Sequence, residues 1–158
     1  MKTIEEQIRA MAFQWPGFNV IEHANGCVTW QGILAPDKRK HLVRVRYCIP
    51  GSLLENVSLR ALQPRVRVVE PLLEHHDDYE QSPIPHVYWS KEYPTMPSLC
   101  LFSPSGREWS PDDLLADTTV FWAAEWLYFY EGWLVTKKWR GGGQHPPLVD
   151  GEKRLEAI

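Results

Sequence analysis

Seven of the chain's thirteen prolines, Pro71, Pro83, Pro85, Pro94, Pro97, Pro104 and Pro111, fall in one stretch. Each fixes φ and removes a backbone donor, so the segment from Pro71 to Pro111 excludes both a long helix and a regular central strand. A connection of that length inside a compact domain is either functional or disordered. Its interleaved aromatics, Tyr79, Tyr88, Trp89, Tyr93 and Phe102, argue for a packed loop. Regular structure must therefore lie on either side of it.

Upstream, Ile4, Ile8, Met11 and Ala12 recur at helical spacing, and Thr3 with Glu6 has the form of a capping box, which predicts a helix over residues 3–13. Three strand-like runs follow: Phe18 to His23, Cys27 to Leu34 and Leu42 to Ile49. The first two are joined by Ala24-Asn25-Gly26, a tight-hairpin signal, and the second and third by the polar tip Pro36-Asp37-Lys38-Arg39-Lys40. In the third run Val43, Val45, Tyr47 and Ile49 alternate with Arg44, Arg46 and Cys48, the period of a strand with one buried face. A fourth run, Arg65 to Glu70, sets Val66 and Val68 against Arg65 and Arg67, completing an expected four-stranded antiparallel meander.

Downstream, Ser110-Pro111-Asp112-Asp113 reads as a helix start that lasts one turn, to Ala116. A longer helix is expected from after Asp117 to about Lys137, apolar on nearly every face through Phe121, Trp122, Trp126, Phe129, Tyr130, Trp133 and Leu134. That composition predicts a central helix packed across the sheet. Residues 138–158 read as a non-helical Gly/Pro-rich tail carrying Gly141-Gly142-Gly143 and His145-Pro146-Pro147, loose after Gly151. One α+β domain spanning residues 1–158 accounts for the whole pattern.

Composition narrows the function. A net charge of −3 with scattered Lys and Arg leaves no footprint for nucleic acid, so a protein or small-molecule partner is the expectation. No run is long and apolar enough to span a membrane, and the N-terminus lacks the apolar core of a signal peptide. Cys27, Cys48 and Cys100 are too few and too irregularly spaced for a disulfide framework, which points to a reducing, cytoplasmic setting. Cys27 and Cys48 fall on expected strands and read as structural.

Cys100 stands apart, in Pro97-Ser98-Leu99-Cys100-Leu101-Phe102, with Trp109-Ser110-Pro111 soon after it. A thiol between two leucines is compatible with core packing, since free cysteine is among the most buried residue types. The order helix, meander, extended flap, cysteine, Trp-Ser-Pro and long helix resembles that of the ubiquitin-conjugating (E2) enzymes, and Leu99-Cys100-Leu101 before Trp109-Ser110-Pro111 is similar to their active-site segment. The resemblance by element order covers about residues 1–137; the local motif covers 97–111. It implies a UBC-like fold with Cys100 as the nucleophile of a thioester. Eukaryotic E2 enzymes also carry a His-Pro-Asn triplet shortly before the cysteine and further helices after the central one. Here the nearest counterpart is His86-Val87-Tyr88, without Pro or Asn, and one long helix follows. These departures, with the Trp-rich helix and tail, resemble the E2-like proteins of bacterial CBASS anti-phage operons, which accompany a cGAS/DncV-like nucleotidyltransferase.

That resemblance implies a protein partner whose C-terminal, glycine-like carboxylate is carried on Cys100 and passed to an amine; whether a separate E1-like protein activates that carboxylate is left open, and this chain carries no adenylation motif of its own. No cofactor or metal is implied. The donor for the oxyanion is left open among His86, Tyr88 and a backbone amide near Cys100. A non-catalytic E2-fold adaptor and a cysteine hydrolase using His86 or His145 are the alternatives. His75-His76-Asp77-Asp78 has ligand-type residues, but adjacent residues rarely converge on one ion. Gly141-Gly142-Gly143 follows a helix and lacks the Lys-Ser/Thr of a phosphate loop, so it reads as a flexible connection. The aromatic helix reads as core, and Trp109 as packing beneath the Cys100 loop.

Overall fold

The computed structural model describes residues 1–51, 63–76, 83–103 and 106–143. Helix α1 spans Ile4–Gln14, and its capping box is formed: Glu6 N–H donates to Thr3 Oγ1 while Thr3 N–H donates to the Glu6 carboxylate. The stripe it buries is Ile4, Gln7 and Met11 rather than Ile4, Ile8, Met11 and Ala12; Ala12 is exposed. Gln7 is fully buried because its amide bridges two backbone groups of the segment ahead of the second helix, donating to Asp113 O at 2.9 Å and accepting from Leu115 N at 2.9 Å. Trp15 Nε1 donates to Ala116 O at 2.9 Å and Lys2 N to Pro111 O at 2.7 Å, so α1 is clipped along residues 111–116.

Strands β1 (Asn19–Ala24), β2 (Cys27–Leu34), β3 (His41–Cys48) and β4 (Arg65–Glu70) form the expected antiparallel meander. The first turn is set by Asn25 and Gly26, both at positive φ (52° and 75°), the backbone that Asn-Gly tolerates best. Val43, Val45, Tyr47, Val66 and Val68 face the core as the alternation requires. The sheet does not stop at four strands. β5 (Val87–Tyr88) and β6 (Ser98–Leu99) extend it in the order β1-β2-β3-β4-β6-β5. Both lie inside the proline-rich segment and are two residues long, Pro85 and Pro97 standing just before them, so the prolines shorten strands there without abolishing them.

Helix α2 spans Thr119–Thr136 and buries Val120, Ala123, Trp126, Leu127, Tyr130 and Trp133 in the same core cluster as the sheet. It is not enclosed all round: Phe121, Tyr128 and Val135 are exposed on its outer side. The turn from Ser110 does not become a helix; Asp113 closes it by accepting from Ser110 N–H and Oγ–H. At the far end Lys137 takes the left-handed conformation (φ 55°) and closes α2 onto Trp133 O.

Three further expectations are corrected. Cys27 and Cys48, read as separate thiols, form a disulfide across β2 and β3, so the cysteine count no longer argues for a reducing compartment. The register makes the pairing: β2 and β3 run symmetrically outward from their connecting tip, placing Cys27 directly opposite Cys48. Arg67, set by the alternation opposite Val66 and Val68, is buried as well, its guanidinium 4.2 Å above the Tyr93 ring and its Nε–H donating to Met96 O at 3.1 Å. Burial in turn brings its pKa down to about 10. The start of the tail is packed: an added Cβ at Gly141 would lie 2.8 Å from the Phe129 ring and from Trp139 Nε1, so glycine is required there by close approach rather than for flexibility.

Candidate functional site around Cys100

The site is built by the two shortest strands. Val87 pairs with Leu99 and Tyr88 with Ser98, and Cys100 N donates to His86 O at 2.9 Å, carrying the pairing one residue further. Side chains alternate across a sheet, so Val87 and Leu99 go into the core while Tyr88, Ser98 and Cys100 share the opposite face. Tyr88 and Cys100 are then diagonal neighbours, a separation an aromatic side chain spans. Tyr88 Oη lies 3.3 Å from Cys100 Sγ and is the thiol's hydrogen-bond partner among the described residues. Arg67 steadies this hairpin from the neighbouring strand, since β4 pairs with β6 at Arg67 and Ser98 and the Arg67 side chain holds the connecting segment through Tyr93 and Met96.

His86 contributes through its backbone. Its carbonyl accepts from both Cys100 N and Trp126 Nε1, the latter at 3.0 Å, which ties the nucleophile's main chain to α2. Its φ of 51° is unusual for a non-glycine residue and ends the strand at Val87. The buried imidazole stacks on Trp139, ring centroids 5.0 Å apart, and Trp139 packs in turn against Trp126 and Phe129. A Cβ added at Gly143 would reach ordinary contact distance of the same imidazole. The tail thus folds back to cover His86.

Beyond the nucleophile, Phe102 lies between Trp109 and Trp122, and Trp109 meets Tyr47 edge-on, 5.5 Å between centroids. Trp109 therefore packs beside the Cys100 loop, against the end of the sheet. Glu108 caps the loop by accepting from Ser103 N at 2.6 Å. Cys100 is the free cysteine of the chain and is partly buried. Burial pushes its thiol pKa up, the Tyr88 hydrogen bond pulls it down, and the Glu108 carboxylate adds to the rise; the net shift is upward. Burial likewise raises the Tyr88 phenol well above its ordinary value, so it remains protonated and able to donate at physiological pH. A thiol of raised pKa is mostly protonated at neutrality, yet its thiolate is a stronger nucleophile than a more acidic one.

The two residues singled out from sequence, Cys100 and His86, meet through a backbone hydrogen bond. Tyr88, of the three donors left open, is the one whose side chain reaches the sulfur. Trp126 and Trp139, core and tail by sequence, both hold His86, and nothing local in the sequence signals a contact across that separation. Asp77, Asp78, Tyr79 and His145 lie outside the described residues. His76 packs against Trp133, 4.7 Å between ring centroids. Among the described residues no group of three His, Cys, Asp or Glu side chains is placed to hold a metal, and no helix is long and apolar enough to cross a membrane.

The sequence of residues 7–146, nearly all of this architecture, matches a family model described as type II CBASS E2 protein. The chain belongs to that family. No curated protein matches it. Within this CBASS E2 chain the matched region contains both short strands, the cysteine between β6 and the Trp109 turn, and the whole of α2. Membership supports an E2-like role in CBASS defence and a protein partner from the same operon.

Proposed function

We propose that this CBASS E2 protein is a conjugating enzyme of UBC-like fold that carries the C-terminal acyl group of a partner protein as a thioester on Cys100 and transfers it to an amine. One observation carries the reading: in a chain of this family the free thiol stands at the end of a short strand, partly exposed, with its main-chain N–H fixed by His86 O. A thioester carrier must be both nucleophile and leaving group, and the thiolate is the side chain that serves both ends. The carried protein is the cGAS/DncV-like nucleotidyltransferase of the operon, the reaction takes place in the cytoplasm, and any activation of the acyl group comes from outside this chain.

Co-expression with the neighbouring genes, followed by intact mass analysis with and without thiol, tests this. The native protein is expected to give a thiol-sensitive adduct, Cys100→Ser a thiol-resistant ester at most, and Cys100→Ala none. Retention of the adduct and of phage protection in Cys100→Ala refutes the enzyme reading in favour of an adaptor. Cleavage of the partner without conjugation favours a hydrolase.

A further inference from the structure

The geometry points to Tyr88 as the catalytic hydrogen-bond donor of this site, its hydroxyl stabilising the negative charge that develops first on the acyl oxygen and then on the departing Cys100 sulfur. The inference rests on the thioester reading above and names the group that completes it. In the resting protein the Cys100 S–H donates to Tyr88 Oη at 3.3 Å. Once the sulfur is acylated it has no proton to give, and the hydroxyl is left to act as a donor. The acyl oxygen is two bonds from Sγ, so rotation about the Cβ–Sγ bond can bring it within hydrogen-bonding reach of Tyr88 Oη, which lies beside the sulfur.

In the transfer step the lone pair of the acceptor amine forms a C–N bond to the acyl carbon, and the carbonyl π pair moves onto oxygen. The Tyr88 O–H donates a hydrogen bond to that oxyanion without giving up its proton. When the carbonyl re-forms, the C–S bond breaks with its pair on Sγ, and the same hydroxyl turns to the thiolate 3.3 Å away. The amine proton goes to solvent. No redox partner is needed.

Three observations support a donor fixed in advance, which is what makes such groups effective. Tyr88 is held in register by Ser98, the strand of Ser98 is in turn paired with Arg67 on β4, and burial keeps the phenol protonated. His86 does not compete: its imidazole is stacked on Trp139, and it bonds Cys100 through its carbonyl, which is an acceptor.

The test is Tyr88→Phe, which keeps the ring and removes the hydroxyl. The charged adduct is formed in the co-expressing strain, purified, and discharged in a single turnover with free lysine. The expected result is an adduct that still forms and a discharge rate lower by about 10²-fold, the loss seen when one oxyanion donor is removed. A second readout needs no partner: the pH dependence of Cys100 alkylation by iodoacetamide moves to higher pH in Tyr88→Phe, because the hydrogen bond that favours the thiolate is gone. Discharge at the wild-type rate, or an unchanged alkylation profile, overturns the assignment. Absence of any adduct in the wild-type protein counts against the thioester reading instead, and the alkylation profile then decides whether Tyr88 tunes the thiol.

Discussion

Replacing Gln7 by methionine removes an amide that is fully buried while keeping the length of the side chain. Two hydrogen bonds are lost, and their consequences differ. Leu115 is fully buried, so its N–H loses its partner, Gln7 Oε1, in a place water does not reach, which costs about 1–3 kcal/mol. Asp113 is partly exposed, so water replaces Gln7 at its carbonyl, and only the net value of one hydrogen bond, about 1 kcal/mol, is lost. The sum of about 2–4 kcal/mol is a sizeable part of the ~5–15 kcal/mol stability of a typical domain. At this chain length it lowers Tm by about 5–15 °C. Urea and thermal unfolding followed by circular dichroism measure it, with Gln14→Ala as the control: Gln14 reaches Asp117 from the exposed end of the same helix and is expected to change stability by less than about 0.5 kcal/mol. A Gln7→Met protein within 0.5 kcal/mol of wild type, or a Gln14→Ala protein equally destabilised, would refute the view that the buried amide rather than the helix surface fastens α1 to residues 111–116.

Two further outcomes follow from the packing. Gly32→Ala places a Cβ 2.5 Å from the Phe18 ring, and the resulting strain is expected to cost about 1–3 kcal/mol in the same unfolding assay; a neutral substitution would mean that Phe18 moves aside freely. Glu131 is buried on α2, a position that raises its pKa, but hydrogen bonds from His41 Nε2 and from the Lys38 and Arg39 amides outweigh burial and hold it below the ordinary glutamate value. Its contribution is therefore complete above an ordinary value of about 4.3 and is lost as pH falls through the lower folded value. Stability measured against pH should fall on that acid side in the native protein and flatten in Glu131→Gln; parallel curves would show that ionisation of Glu131 is not linked to folding.

What was readable in the sequence is what is local. The Thr3 and Glu6 box, the Asn25-Gly26 turn and the alternation in β3 each depend on residues a few positions apart, and all appear as expected. The disulfide was within reach as well, since counting outward from the β2–β3 tip sets Cys27 opposite Cys48. By contrast, β5 and β6 are too short to show a period, and they exist as strands because β4 offers an edge to pair with. Gln7 and Arg67 look like surface residues by type; each is buried because a backbone carbonyl elsewhere in the chain accepts from it. The proximity of Tyr88 to Cys100 likewise emerges only once the strands are in register, although both residues, twelve positions apart, stand in plain view in the sequence.

The stacking of Trp139 on His86 also bears on the order in which the molecule is made. The thiol leaves the ribosome 39 residues before the tryptophan that covers the histidine beside it, and Trp126, which holds the same carbonyl, emerges between the two. A nascent chain thus displays its cysteine well before the brace behind it is complete. Nucleophile and brace come into being as a pair only once Trp139 has been made, so a chain interrupted before it has the reactive atom without the setting that governs it.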